Sequence, residues 1–244
     1  MADCLQRRVV CLVGATGGIG SATARLFASD AGTSLICMDR SEVSPDVLAR
    51  EIGATAHAID VTNETSVNSA FDAARKVAPQ LDVLVITAGI VENESISSLT
   101  LDRWHAILGV NLTGSFLVAK AALPWLVDGG RIIFLASLAG RTGGVLTGPA
   151  YAASKGGVES LAKALARELA PRRITVNCVA PGAVETAMIL THTPERRAAM
   201  VAGTPLRRMA APDEIAATIG FLAGKSAGFI TGAVVPVNGG VRMD

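Results

Sequence analysis

Short runs rich in Val, Ile and Leu alternate along the whole chain with amphipathic stretches, and that alternation most narrows the folds open to it. The strand-like runs are 9–13, 34–38, 55–59, 83–87, 131–136, 175–179 and 233–237. Between them, apolar residues return at helical spacing in 21–29, 64–77, 101–127, 151–170 and 213–223. Short apolar runs separated by helix-length segments build βαβ units. The expected class is α/β, a Rossmann-type doubly wound parallel β-sheet of about seven strands, with right-handed crossovers placing helices on both faces.

No linker, repeat or charge block divides the 244 residues, so residues 1–244 read as a single domain with one core. One stretch, 187–211, lacks a clear period. Thr193-Pro194, Gly203 and Pro205 surround a short helical segment at 195–200, and the stretch reads as a lid.

A net charge of +1 gives no electrostatic case for nucleic acid or an anionic membrane. The N-terminus is polar and leads directly into a strand, and no apolar run has membrane-spanning length. Cys4, Cys11, Cys37 and Cys178 show no metal-ligand spacing, and no metal site is expected. The chain reads as a cytoplasmic protein.

The first strand is followed by Gly14-Ala15-Thr16-Gly17-Gly18-Ile19-Gly20 and then a helix. Glycines in this place allow a tight turn and close approach of backbone to a pyrophosphate, which the positive end of the helix then holds. The second strand ends at Asp39, about twenty residues on, where a ribose-binding acid belongs. A carboxylate there accepts from both ribose hydroxyls and repels a 2′-phosphate. NAD is therefore expected over NADP, although Arg40 offers a phosphate a partner. Asp60 and Val61 close the third strand, positioned to receive the adenine amino group and cover its ring, or simply to cap the next turn.

Tyr151 is the only tyrosine, and Lys155 follows four residues later. On a helix the two share a face. A phenol with a pKa near 10 is a poor base at neutral pH, and a neighbouring cation favours its ionised form. Beside a hydride acceptor, such a tyrosine takes the proton of an alcohol.

With these residues in place, the chain resembles the short-chain dehydrogenase/reductase family from about Val9 to Gly240. The family pattern Thr-Gly-x-x-x-Gly-x-Gly reads Val13-Gly14-Ala15-Thr16-Gly17-Gly18-Ile19-Gly20, with Val13 in place of the threonine. The family's Asn-Asn-Ala-Gly reads Ile86-Thr87-Ala88-Gly89, without either asparagine. Asn111-Leu112-Thr113-Gly114, the serine of Ala136-Ser137-Leu138-Ala139-Gly140, Tyr151 to Lys155, and Pro181-Gly182 with downstream Thr186 complete the set.

The resemblance implies a catalytic group of Asn111, Ser137, Tyr151 and Lys155. Tyr151 is the implied acid/base, and Lys155 holds the nicotinamide ribose and lowers the Tyr151 pKa. Ser137 orients the substrate oxygen, and Asn111 holds a relay water. Gly14, Thr16, Gly17, Gly18, Ile19, Asp39, Arg40, Asp60, Val61, Thr87, Ala88, Gly89, Tyr151, Lys155, Pro181 and Gly182 are implied cofactor contacts. Val184 and Thr186 are expected at the carboxamide. A homotetramer is also implied.

The expected substrate wall is apolar, formed by Ile90, Val91, Leu138, Val145, Leu146, Met188 and Ile189, with Glu92, Asn93 and Glu94 as polar partners. It suits a small hydrophobic secondary alcohol or ketone as partner in NAD-linked hydride transfer. A second reading is an NADPH-dependent 3-oxoacyl-acyl-carrier-protein reductase. Arg172 occupies a position where that group docks its carrier, but Asp128 stands where a second basic residue is expected. A reading of another class is a catalytically silent dinucleotide sensor, whose signature would be loss of Tyr151 or Lys155.

Overall fold

The computed structural model describes residues 7–144, 147–190 and 192–243. Its centre is a seven-stranded sheet in the order β3-β2-β1-β4-β5-β6-β7. The strands are β1 (Arg8–Val13), β2 (Thr33–Asp39), β3 (Thr55–Ala58), β4 (Leu81–Ile86), β5 (Leu126–Leu135), β6 (Thr175–Pro181) and β7 (Val234–Val237). Every neighbouring pair is parallel. The direction of winding reverses between β1 and β4, and a crevice at such a switch point is where α/β folds bind ligands.

The helices are α1 (Gly18–Ala28), α2 (Pro45–Ile52), α3 (Glu64–Val77), α4 (Leu101–Leu108), α5 (Gly114–Ala122), α6 (Ala139–Thr142), α7 (Pro149–Glu168), α8 (Ala187–Leu190), α9 (Pro194–Ala202) and α10 (Pro212–Ala223). Successive strand residues point to opposite faces, so β1 feeds two cores. Val9, Cys11 and Val13 pack with Phe71 of α3, Val118 of α5 and Val158 of α7. Val10 and Leu12 pack with Phe27 of α1 and with Ile215 and Ile219 of α10. Each such side chain contributes about 1.5–3 kcal/mol when fully buried. Among the described residues, no helix is long and apolar enough to cross a membrane.

All seven expected strands are present, with ends displaced by a few residues. The stretch 101–127 is not one helix. It divides into α4, a π-helical turn at Gly109–Thr113, and α5, which stops at Ala122. Pro124 has no N–H to extend the ladder, and the Trp125 N–H turns back to the Ala122 carbonyl at 2.9 Å. Trp125 is buried edge-on against Phe71, and its indole donates to the Ala78 carbonyl at 2.9 Å. Residues 126–130 then join β5, whose pairing with β4 shifts register between Leu81 and Val83. Helix α2 was not anticipated. Its single buried stripe, with Pro45, Leu48 and Ala49, is too short to show a period.

Candidate active site

The residues expected to bind a dinucleotide gather at the carboxyl ends of the strands. Gly14 follows β1 with φ 91°, and a Cβ there would lie 2.3 Å from the Ala88 nitrogen. Only glycine lets the loops after β1 and β4 touch at this point. Gly17 caps α1 without any side-chain hydrogen bond, and the first turn of α1 carries no acid. That helix end therefore suits an anion. Gly18 packs directly under Thr186, whose Cγ2 would be 2.6 Å from an added Cβ.

Asp39 is tied to this loop. Thr16 donates to Asp39 Oδ2 through its N–H at 2.9 Å and its hydroxyl at 2.7 Å, and the Arg40 N–H donates to Oδ1 at 2.9 Å. The Arg40 side chain stands in solvent. Asp60 caps its own turn, accepting from the Thr62 hydroxyl at 2.7 Å and N–H at 2.9 Å. Those bonds hold its carboxyl below the usual range. Val61 is buried against Gly114. Pro181 ends β6, where its carbonyl accepts from the Leu138 N–H at 2.9 Å, and Gly182 sits against Asn238. Val184 is buried and bridges to Ala210. A helix N-terminus without a capping side chain, a carboxylate one strand over and a glycine crevice at the switch point fit a dinucleotide.

The two departures from the family pattern have a structural answer. The Thr87 hydroxyl donates toward the carbonyls of Val13 at 3.1 Å and Gly14 at 2.9 Å. It joins the ends of β4 and β1, and Val13 needs no polar side chain, because its carbonyl also accepts from the N–H groups of Thr87 and Ala88.

Helix α7 brings Tyr151 and Lys155 together. The Lys155 ammonium lies 5.7 Å from the centroid of the Tyr151 ring. It is only 3 % exposed and donates to the Leu135 carbonyl of β5 at 2.7 Å. Burial lowers its pKa to about 8. Ser137, two residues beyond Leu135, shares a hydrogen bond with the Tyr151 hydroxyl. The phenol is pushed above its ordinary value by burial, with the Ser137 bond opposing. This differs from the expected lowering by Lys155: the phenol oxygen is desolvated, and the ammonium bonds a strand carbonyl. Gly140 permits the close approach, since a Cβ there would be 2.8 Å from the Gly156 nitrogen and 2.9 Å from the Lys155 carbonyl carbon. Arg141 of α6 pairs with the buried Glu159 of α7.

Asn111 sits in the π-helical turn, fully buried. Its Oδ1 accepts from the Ile90 N–H at 2.9 Å, and its Nδ2 donates to the Ile90 carbonyl and to Ser154 Oγ, each at 2.9 Å. Ser154 in turn donates to the Tyr151 carbonyl at 2.8 Å. Gly89 lies between Asn111 and Lys155, with a Cβ position 3.3 Å from both Asn111 Oδ1 and Lys155 Nζ. Asn111, Ser137, Tyr151 and Lys155 thus converge on one place, at the ends of β4 and β5. Sequence reasoning did not find Ser154 or Leu135, because one acts as a helix-face linker and the other through its backbone.

Of the expected substrate wall, one described residue lines a cavity, and Ser137, Tyr151 and Lys155 are not in that lining. Ile189 borders a cavity of about 520 Å³ with Glu185, Thr186, Leu190, Arg197 and Met209 among its lining. Ile90 and Val91 follow β4 and Leu138 follows β5, and none of the three lines that cavity. Val145, Leu146 and the side chain of Met188 lie outside the described residues. Glu92 does not serve the wall as a polar partner. It is 2 % exposed, and its Oε1 accepts from the N–H groups of Ala150 at 2.7 Å and Tyr151 at 3.0 Å. Glu94 faces Arg103 at 3.7 Å, which also donates to the Val91 carbonyl at 3.1 Å. Arg172 pairs with Asp128 at 2.9 Å and donates to the carbonyls of Leu123, at 3.1 Å, and Leu126.

A family model described as enoyl-(acyl carrier protein) reductase matches residues 14–242. A 3-oxoacyl-(acyl-carrier-protein) reductase FabG of Aquifex aeolicus (strain VF5) is 36 % identical over 245 residues, covering 97 % of this chain and 98 % of the relative. An acetoacetyl-CoA reductase of Allochromatium vinosum is also 36 % identical, over 97 % of this chain and 99 % of its own. Among solved structures, one from Brucella melitensis described as a short-chain dehydrogenase/reductase, glucose/ribitol dehydrogenase, superposes with a TM-score of 0.92. It is 35 % identical and covers 97 % of each chain.

Proposed function

The chain belongs to the short-chain dehydrogenase/reductase family of nicotinamide-dinucleotide oxidoreductases, and we propose that it reduces a hydrophobic ketone, with a 3-oxoacyl thioester as the favoured substrate class and NADH as the favoured donor. The reverse reaction is oxidation of a secondary alcohol. The observation that carries the reading is the Ser137–Tyr151 hydroxyl pair beside the Lys155 ammonium. A protonated phenol is the form that donates to a carbonyl oxygen as it becomes an alkoxide.

The dinucleotide, when bound, supplies the hydride. Tyr151 gives the proton from its hydroxyl. Ser137 holds the carbonyl oxygen and orients it toward that hydroxyl. Lys155 fixes its end of α7 to β5 and presents its charge to the cofactor ribose and the phenol. Asn111 holds the loop after β4 and, through Ser154, the backbone of Tyr151. Gly14, Thr16, Gly17, Gly18 and Ile19 receive the pyrophosphate. Thr87, Ala88, Gly89, Pro181, Gly182, Val184 and Thr186 line the nicotinamide half. Asp39 accepts from the adenosine ribose and disfavours a 2′-phosphate, which supports NADH over NADPH.

Two relatives bear names of 3-oxoacyl thioester reductases, which supports that class over a simple alcohol. The Arg172 guanidinium is engaged by Asp128 and two carbonyls of its own chain. That arrangement favours a coenzyme A thioester over a docked carrier protein. Residues 187–211, including α8 and α9 beside the cavity, act as the lid of a single domain. The exposed Phe116 on α5 supports assembly through that helix into a homotetramer, which light scattering would test.

The deciding experiment follows the loss of reduced nicotinamide with acetoacetyl-CoA, acetoacetyl carrier protein and a panel of cyclic and aliphatic ketones, each with NADH and NADPH. Fastest turnover of acetoacetyl-CoA with NADH is expected. Turnover confined to simple ketones would overturn the thioester class. Dinucleotide binding without turnover of any ketone would return the sensor reading.

A further inference from the structure

We propose that Glu92 is a positioning residue for Tyr151, a buried carboxylate supplied from the loop after β4 to cap the helix that carries the proton donor. The inference rests on the reading of Tyr151 as that donor.

Helix α7 begins after Gly148, which has no side chain to cap it. The orphan N–H groups of a first turn need acceptors, and a negative charge there is favoured by the helix dipole. Glu92 meets both needs from 58 residues away in sequence: its Oε1 accepts from Ala150 and from Tyr151 itself. The main chain adds a third tie, since the Gly148 N–H donates to the Glu92 carbonyl at 2.9 Å. Gly148 and Glu92 depend on one another. A Cβ on residue 148 would fall 1.8 Å from Glu92 Oε2, so the carboxylate fits only because residue 148 is glycine.

An ordinary cap stabilises a helix and does nothing more. Here the capping residue belongs to the segment that also holds the rest of the site. Two residues before it, Ile90 is gripped through both its N–H and its carbonyl by Asn111. One residue further back, Gly89 lies against Lys155. Asn111 reaches α7 a second time through Ser154 and the Tyr151 carbonyl. The Tyr151 backbone is therefore held at its N–H by Glu92 and at its carbonyl by Ser154, and both ties lead back to the same loop. Releasing one leaves the phenol free to shift by a fraction of an ångström relative to Ser137, and misplacement on that scale lowers turnover more than affinity.

The test compares Glu92→Gln, Glu92→Asp, Glu92→Ala and Gly148→Ala, with Tyr151→Phe as control. Acetoacetyl-CoA reduction is followed with NADH, and NADH affinity is measured separately by quenching of tryptophan fluorescence. Gln keeps the acceptor oxygen at full reach and should retain at least half of the parent kcat. Asp keeps the charge but falls short, Ala removes the group, and Gly148→Ala displaces it. Each of these three should lose at least about tenfold in kcat, with NADH affinity within about threefold of the parent. If Glu92→Ala does not fold, the Gln and Asp pair decides. Unchanged kcat in Glu92→Asp and Gly148→Ala overturns the proposal, as does a parallel loss of kcat and NADH affinity, or a Gln variant as impaired as Asp. An inactive Tyr151→Phe beside fully active Glu92 variants refutes this inference alone. An active Tyr151→Phe removes the donor reading beneath it.

Discussion

The Lys155 ammonium donates to the Leu135 carbonyl at 2.7 Å, joining the tyrosine helix to β5 two residues before Ser137. A cation almost wholly removed from water is thus held by a neutral strand oxygen. Burial takes its pKa from 10.5 to about 8. That difference corresponds to about 3 kcal/mol. Between those two values the unfolded chain carries a proton that the folded chain has released. Stability therefore rises with pH across that window, and the full penalty is present below it. Melting curves of the parent and Lys155→Met should show it. The parent should gain on the variant by several degrees between pH 7 and pH 10, whichever is the more stable at pH 7. A constant gap across that range would show that Lys155 is not desolvated.

The protonated state of Tyr151 makes a directional prediction. The protonated phenol, which donates a proton, dominates at neutral pH, and burial pushes its ionisation further into alkali. Ketone reduction should be nearly independent of pH through the neutral range and should fall only in strong alkali. Alcohol oxidation needs the ionised phenol and should climb steadily as pH rises over the same range. The measurement is kcat/KM in both directions against pH, on one substrate pair. Oxidation already level at neutral pH would mean that bound cofactor ionises the phenol more strongly than burial opposes it.

Cofactor choice turns on Asp39, which Thr16 holds at the glycine loop through two hydrogen bonds. Two unit charges about 4 Å apart near a protein surface interact by roughly 4 kcal/mol before salt screening. In Asp39→Ser the repulsion of a 2′-phosphate disappears, and the exposed Arg40 remains to attract it. The ratio of kcat/KM for NADH over NADPH should fall at least tenfold, about 1.4 kcal/mol. Raising the salt concentration should narrow the parent's preference in the same sense. An unaltered ratio in the variant would assign the choice to another group.

The glycine loop, Asp39, Ser137, Tyr151 and Lys155 were legible in the sequence because each couples a residue type to a fixed place on a strand or helix. Seven apolar runs located the sheet for the same reason. The π-helical turn was not legible, because Asn111 within it bonds to Ile90, a partner in space that no local period reveals. Glu92 read as a polar neighbour of the substrate because its charge suggested exposure. The N–H groups that donate to it lie in a helix far along the chain. The upward pressure on the Tyr151 pKa was equally hidden, since spacing shows that a cation is near but not where its hydrogen bond goes.

Thr87 allows a test of how the central strands are joined. Its hydroxyl reaches the Val13 and Gly14 carbonyls, and valine matches its shape without the donor. In Thr87→Val both carbonyls lose the hydroxyl, while the Val13 carbonyl keeps its two N–H partners. The loss should be about 1 kcal/mol in urea unfolding, with dinucleotide affinity reduced a few-fold as the loop loosens. A neutral effect on both would place the strand junction entirely in the backbone.

Asn111 separates hydrogen bonding from shape more sharply. Its amide accepts once and donates twice, all in a fully buried setting. Replacement by alanine strands the N–H and carbonyl of Ile90, at about 1–3 kcal/mol for each unsatisfied group. Replacement by aspartate keeps the acceptor for the Ile90 N–H but turns a donor into a second acceptor. That oxygen would face the Ile90 carbonyl and bury a charge without a cation bonded to it. Asn111→Asp should therefore be less stable than Asn111→Ala at pH 7, despite its closer shape. Below the carboxylate range the acid takes up a proton and can donate again, so the order of the two variants should narrow or reverse. Urea unfolding of both at pH 7 and at mildly acidic pH measures this directly. An aspartate variant as stable as the parent at pH 7 would mean that Asn111 fills space and does not brace the loop.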